Sequence, residues 1–337
     1  MAETIAVVQF GIGPIGRKVT QDLVRKPSLR IVGAVDLDPS LVGKDVGELA
    51  GLPMPLGVAI TGDGEALLKN AKADVAVVTT TSSLAQVHPL LMQIVSHGVH
   101  VVSTCEELSY PWLTDPKRSR EIDEAARRSN VTVLATGVNP GFLMDLLPIV
   151  MTAVCRDVRQ ITVERIQNAA FRRLPFQQKI GAGLSVEQFH QKVANGTLCH
   201  VGLAESMGMI ASALGWKLDE TEDLIEPIVS TERLTTEFLT IESGQARGVF
   251  QRGRGYVGGR EAISLIFRAV VGEADPRDRV VIDGTPPIDM TIKNGVNGDV
   301  ATCAITVNAI PAIMKAKPGL RTMADMPPIA YLGSSVL

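Results

Sequence analysis

The sequence predicts an α/β protein in which a doubly wound parallel sheet is followed by a second, α+β domain carrying a mostly antiparallel sheet. Three observations carry that expectation. Short apolar, β-branched runs alternate with helical patterns up to Asp145; a glycine-rich turn joins the first run to the first helix; beyond Asp145, runs follow one another through glycine-rich turns. The expected bounds follow: residues 1–145 for a dinucleotide-binding domain, 146–298 for a substrate-binding domain, and 299–337 for a return onto the first.

The first run, Thr4 to Phe10, leads directly into G-I-G-P-I-G and an amphipathic stretch from Arg17 to Arg25. Strand, glycine turn and helix in that order are the context a dinucleotide fingerprint requires: Gly11 for the tight turn, Gly13 for approach to a pyrophosphate, Gly16 for close helix packing. This marks the first domain as Rossmann-like. The second run, Leu29 to Val35, ends in Asp36, an acid placed to accept hydrogen bonds from the adenosine ribose and to repel a 2′-phosphate. NAD(H) is therefore expected over NADP(H), although Asp36 and Asp38 also suit the turn DLDPS.

Further strands are expected at Asp74 to Thr80, Val99 to Ser103 and Val131 to Thr136. Ligands of such sheets bind at the carboxyl ends of the strands. Those ends place Gly11, Gly13, Ile15 and Gly16, then Asp36, Thr80, Thr81, Ser82 and Thr104, and finally Asn139, toward the cofactor. Glu106 and Glu107 follow the strand at Val99 to Ser103, and neighbours in an extended chain point opposite ways, so one acid faces the site while the other caps a helix or meets solvent.

In the second domain, Ile161 to Asn168 alternates like a strand, Ser185 to Asn195 is a Ser-capped helix, and Ala204 to Gly215 an amphipathic one. Glu237 to Glu242, Ala246 to Arg252, Ala262 to Val271 and Pro287 to Ile292 read as strands. A last helix, Val300 to Lys315, is expected to kink or break at Pro311.

Composition sets outer limits. The chain is 45% hydrophobic and 20% charged with net charge −3, so neither nucleic acid nor an anionic membrane is an expected partner. The four widely spaced cysteines read as free thiols of a reducing compartment, and no metal-ligand spacing is found among cysteines or histidines. With no charged n-region or membrane-length apolar run, the expected location is cytoplasmic.

Four segments, STCEELSYP, ATGVNPGFLMD, LSVEQFHQKVANGTLCHVGLAESMGMIASALGW and NGVNGDVATCAITVNAIP, resemble the 2,4-diaminopentanoate dehydrogenase family and, more closely, its relatives known as native amine dehydrogenases. The resemblance covers nearly the whole chain. It implies a Rossmann domain joined to a dihydrodipicolinate reductase-like domain, a homodimer with 146–298 as the substrate-binding and dimerisation domain, and reversible NAD(P)H-dependent reductive amination of small ketones or aldehydes with ammonia. It assigns the catalytic acid to Glu106, with Glu107 as fallback, and the substrate pocket to Val138, Leu143, Phe171 and Thr302. Asn139 is placed to hold the nicotinamide carboxamide. Arg172, Arg173 and Lys179 are read as a solvated loop, which favours simple ketones over amino acids.

Two other readings share these motifs: a 2,4-diaminopentanoate dehydrogenase acting on 2-amino-4-oxopentanoate, and a non-catalytic NAD(H)-binding sensor. A dihydrodipicolinate reductase is disfavoured, since no histidine lies between His100 and His190 and no Gly-Thr anion loop is visible.

Overall fold

The computed structural model describes residues 4–333. The chain forms two compact units, Met1–Phe142 with Asn297–Leu337, and Leu143–Val296. Of the bounds expected from sequence, the first three and last four residues lie outside the described range.

The first unit opens with β1 (Ile5–Phe10), α1 (Pro14–Val24) and β2 (Leu29–Val35). There follow α2 (Val46–Leu49), β3 (Ile60–Thr61), α3 (Gly64–Asn70), β4 (Val75–Val78), α4 (Leu84–Ser96) and β5 (His100–Ser103). Then come α5 (Pro116–Arg128) and β6 (Thr132–Ala135). Every residue of β4 and β6 is buried, as expected of parallel strands covered on both faces. Leu91, Ile94 and Val95 of α4 and Ile122 of α5 share one apolar core with Ala76, Val101 and Val133 of the strands.

The second unit contains α6 (Leu146–Met151), β7 (Asp157–Asn168), α7 (Leu174–Lys179), α8 (Val186–Ala194) and α9 (Leu203–Ala213). Strands β8 (Glu220–Val229), β9 (Leu234–Thr235), β10 (Thr240–Ile241), β11 (Ala246–Val257), β12 (Arg260–Val270), β13 (Arg277–Thr285) and β14 (Ile288–Lys293) complete it. Its main sheet runs β14-β13-β7-β12-β11-β8 and is antiparallel throughout except where β12 pairs with β7. The Ser cap expected at Ser185 is a full capping box with Gln188.

Three expectations are corrected here. The helix α9 is not amphipathic but buried along nearly its whole length, Glu205 and Ser206 included, because the sheet and α6 both pack on it. Of Glu237 to Glu242 only Thr240–Ile241 is strand, paired with Leu234–Thr235 in a separate two-stranded ribbon. Arg172 is not simply solvated, since its guanidinium lies 4.0 Å from the centre of the Phe176 ring and bonds Gln167 Oε1 at 3.3 Å.

The chain then returns to the first unit through α10 (Gly298–Ile313) and β15 (Gly319–Arg321). The expected break at Pro311 does not occur: α10 continues past it to Ile313, with Ile310, Ala312 and Ile313 all buried. With β15 in place the parallel sheet reads β15-β6-β5-β4-β1-β2-β3. The order reverses at β1, between β2 and β4, so the crevice of a doubly wound sheet opens there.

Candidate active site

At the end of β1 the chain must turn sharply beneath β4. Gly11 adopts φ +89°, and a Cβ there would meet the Thr79 carbonyl oxygen at 2.8 Å. A Cβ on Gly16 would come within 2.1 Å of the Gly11 oxygen, so only glycine lets α1 begin this close to the strand. The Thr79 hydroxyl holds the turn by donating to Gly11 O at 2.8 Å. A Cβ on Gly13, by contrast, would meet nothing within 4 Å, and α1 starts at Gly13 without a side-chain cap. An open helix N-terminus with room beside it suits a pyrophosphate.

A cleft of about 850 Å³ extends from this turn, lined by Gly11, Gly13, Asp36, Thr80 and Thr81. Asp36 is set by the backbone: its Oδ2 accepts from Ile12 N–H at 2.6 Å and its Oδ1 from Asp38 N–H at 2.9 Å. The far wall brings in Asp63, Glu65, Gln86 and Gln93, which the sequence reading did not name. Glu65 is held down at about 2 by hydrogen bonds from Gln93, Lys69 and His97. The lining residues include no lysine, arginine or histidine. These features fit a dinucleotide.

Of the remaining residues expected at the cofactor, Ile15 offers its carbonyl to the Cys303 thiol at 3.9 Å, and Gly16 acts through packing. The Ser82 carbonyl accepts from the Cys105 thiol at 3.2 Å and from Glu107 N–H at 3.3 Å. Thr104 and Asn139 line a second, smaller recess of about 40 Å³ in the same unit, together with Glu106, Ser109, Thr136 and Thr302.

This recess separates the two acids of CEEL. Glu106 begins a single 3₁₀ turn, Glu106–Leu108, and lines the recess. Its backbone is fixed by Ser109, whose hydroxyl donates to Glu106 O at 2.7 Å. Glu107 instead turns toward α4, and its Oε2 accepts from Leu84 N–H at 2.7 Å, closing the helix end that Ser83 leaves uncapped. Between strand and acids, burial pushes the Cys105 thiol up to about 12, with the charges of Glu106 and Glu107 adding to the effect. Cys105 is therefore a thiol at neutral pH and no nucleophile.

The substrate residues expected from resemblance are divided between units. In the first, Val138 is buried and donates its N–H to Thr302 Oγ1 at 3.2 Å, so Thr302 joins α10 to the loop after β6. In the second, Leu143 is 2% exposed while Phe171 is 91% exposed. Among the described residues no group of three or more His, Cys, Asp or Glu could hold a metal ion, and no helix is long and apolar enough to cross a membrane.

The sequence reading overlooked Thr136, Ser109 and the cleft-lining Asp63, Glu65, Gln86 and Gln93. A threonine closing an otherwise apolar strand, VTVLAT, was the available signal for the first.

Comparison with known proteins places the chain in a family. Residues 5–135 match the family model of the dihydrodipicolinate reductase N-terminus, and residues 142–336 match that of the 2,4-diaminopentanoate dehydrogenase C-terminal domain. The chain is 35% identical to a 2,4-diaminopentanoate dehydrogenase from Acetoanaerobium sticklandii over 98% of this chain and 96% of the relative. It is 26% identical to an amine dehydrogenase from Streptomyces virginiae, covering 96% of each. Among solved structures, an amine dehydrogenase from Mycobacterium smegmatis superposes with a TM-score of 0.86 at 23% identity, covering 98% of both chains. With a family model spanning more than half of its length and a relative of this identity matched nearly end to end, the chain belongs to the 2,4-diaminopentanoate dehydrogenase family.

Proposed function

We propose that the protein is an amine dehydrogenase that uses Glu106 to move protons during reductive amination, and that it runs in reverse as an oxidative deaminase. One observation carries the assignment to Glu106: it lines a small recess at the carboxyl edge of the dinucleotide sheet, while Glu107 is committed to the end of α4. The overall reaction takes one carbonyl compound, one ammonium ion, one NAD(P)H and one proton to the protonated amine, water and NAD(P)⁺.

Glu106 as carboxylate accepts a proton from ammonium, leaving ammonia to attack the carbonyl carbon. As the acid it returns that proton to the departing hydroxyl of the carbinolamine, and as carboxylate again it stabilises the resulting iminium cation. The dinucleotide, when bound, supplies the hydride that reduces the iminium carbon. Gly11, Gly13 and the N-terminus of α1 would hold its pyrophosphate, Asp36 the adenosine ribose, and Asn139 the carboxamide. The acidic, lysine- and arginine-free lining of the cleft supports NAD(H) over NADP(H), since a 2′-phosphate would face Asp36 without a cation. The resemblance supports a homodimer.

The substrate is proposed to be a small ketone or aldehyde. A second reading, a substrate that carries a carboxylate such as 2-amino-4-oxopentanoate, is favoured by the 35% identity to a 2,4-diaminopentanoate dehydrogenase and by the ordered guanidinium of Arg172, next in sequence to Phe171. Pentan-2-one and 2-amino-4-oxopentanoate distinguish them. A carboxylate clamp would give the second compound a kcat/KM about 10 to 100 times higher.

The deciding experiment follows NADH absorbance with excess ammonia and a carbonyl panel, for the natural protein and Glu106→Gln. The expected result is oxidation that requires ammonia and falls by about 100-fold or more in the variant, with NADH binding retained. NADH binding without turnover across the panel, or a fully active variant, would overturn the assignment.

A further inference from the structure

We infer that Thr136 is a second nitrogen-holding residue, its hydroxyl accepting an N–H bond from ammonia opposite Glu106. This rests on the proposed role of Glu106 and extends it to a residue to which the resemblance assigns nothing.

The hydroxyls around the recess are not equivalent. Ser109 Oγ is committed to the carbonyl of Glu106 at 2.7 Å. Thr302 Oγ1 receives the Val138 N–H at 3.2 Å. Thr136 follows β6 and is 3% exposed; its backbone N–H donates to Ser103 O at 2.8 Å, but its Oγ1 has no hydrogen-bond partner among the described residues. A buried hydroxyl without a partner costs about 1–3 kcal/mol. Valine has nearly the same shape and would fill the position without that cost.

The recess offers the hydroxyl something to bind. Its volume of about 40 Å³ exceeds the roughly 10–15 Å³ that a single water-sized molecule needs, so ammonia fits there. Ammonia brings three N–H donors and must keep its lone pair for the carbonyl carbon. Of the acceptors around the recess, which also include Asn139 Oδ1 and the Thr104 hydroxyl, the Glu106 carboxylate and Thr136 Oγ1 take N–H bonds and leave the lone pair free. Glu106 alone exchanges a proton. Thr136 makes and breaks no covalent bond, and its contribution is to hold the nitrogen.

The test is steady-state kinetics of the full chain at fixed NADH and saturating ketone, with ammonia varied, for the natural protein and for Thr136→Val, Thr136→Ala and Thr136→Ser. NADH dissociation constants are measured beside them by fluorescence. The expected result is a KM for ammonia raised about three- to tenfold in the valine and alanine variants. Their kcat at saturating ammonia, ketone KM and NADH Kd should stay within about twofold, and serine should restore the ammonia KM. An unchanged ammonia KM in both hydroxyl-free variants would overturn the inference. So would an equal rise in NADH Kd, which would place the hydroxyl on the cofactor. If the natural protein oxidised NADH equally well without ammonia, the reading of Glu106 would fail first and take this inference with it; dependence on ammonia with indifferent Thr136 variants would sink the inference alone.

Discussion

Adjacent glutamates with different partners show how little a residue's own identity says about its role. Glu106 and Glu107 share a single 3₁₀ turn, yet one lines the recess and the other accepts the Leu84 N–H at 2.7 Å. A carboxylate at a helix N-terminus satisfies an otherwise orphaned N–H and meets the positive end of the helix dipole. Removing it in Glu107→Ala should therefore lower stability by about 1–2 kcal/mol, read as a lower thermal unfolding midpoint, while kcat per folded molecule stays within about threefold. Loss of turnover in Glu107→Ala with Glu106→Gln unaffected would exchange the two roles. The sequence leaves this pair unresolved because the deciding partner lies 23 positions away, at the first residue of α4, brought alongside only when β4 and β5 pair. Thr136 is marked in sequence only as the threonine that closes an apolar strand, and its role stays hidden for a related reason. Its hydroxyl is informative only once its neighbours' bonds are known.

At the scale of elements, the β1–α1–β2 unit is the most legible part of the chain, since its strand, turn and helix are adjacent in sequence and each glycine answers a local steric demand. Asp36 ties this unit together, because Oδ2 holds Ile12 N–H in the glycine turn. Asp36→Ala should then do two things: weaken NADH binding by about tenfold through loss of ribose and turn hydrogen bonds, and narrow the ratio of NADPH to NADH dissociation constants by removing the repelling charge. Fluorescence titration with both cofactors measures each effect, and an unchanged ratio would refute the place given to Asp36 in selectivity. The second unit is less legible. The edge strand β8 carries Glu220, Glu222, Asp223, Glu226 and Pro227, which suit only a strand paired on one side, here with β11. Strand β13 opens with Arg277, Asp278 and Arg279, too polar to read as a central strand. Arg277 is paired with Glu164 at 2.9 Å and Arg279 with Asp289 across the neighbouring strands, while Val280 and Ile282 fill the core. Such charges become compatible with a sheet only through cross-strand partners that the sequence does not order.

For the molecule as a whole, each of the two units has its own apolar core, and His200 makes an acid response of the second unit testable. Its backbone N–H donates to Gln251 Oε1 at 2.7 Å, and its ring stacks on Phe267 with centres 4.2 Å apart and planes inclined by 14°. Burial holds its pKa down at about 3, with Lys179 and Arg165 opposing protonation further. In the unfolded chain the same imidazole takes up its proton near pH 6.5. Between those values the unfolded state binds more protons, so the contribution of His200 to stability is fully present above about pH 6.5 and is lost as pH falls toward 3. From pH 7.5 to 5.0 the loss amounts to about 2 kcal/mol. Carboxylates act in both directions over this range, Asp278 being raised by burial, so the natural protein's own slope mixes several groups. The difference between it and His200→Phe, which keeps an aromatic ring against Phe267, isolates the imidazole. Urea unfolding at the two pH values, in a Trp112→Phe background so that Trp216 alone reports on the core of the second unit, should show the His200 variant losing about 2 kcal/mol less than its His200 parent on acidification. Parallel losses in the two would mean that His200 is protonated in the folded state at pH 5, and that the cations near it do not keep it neutral.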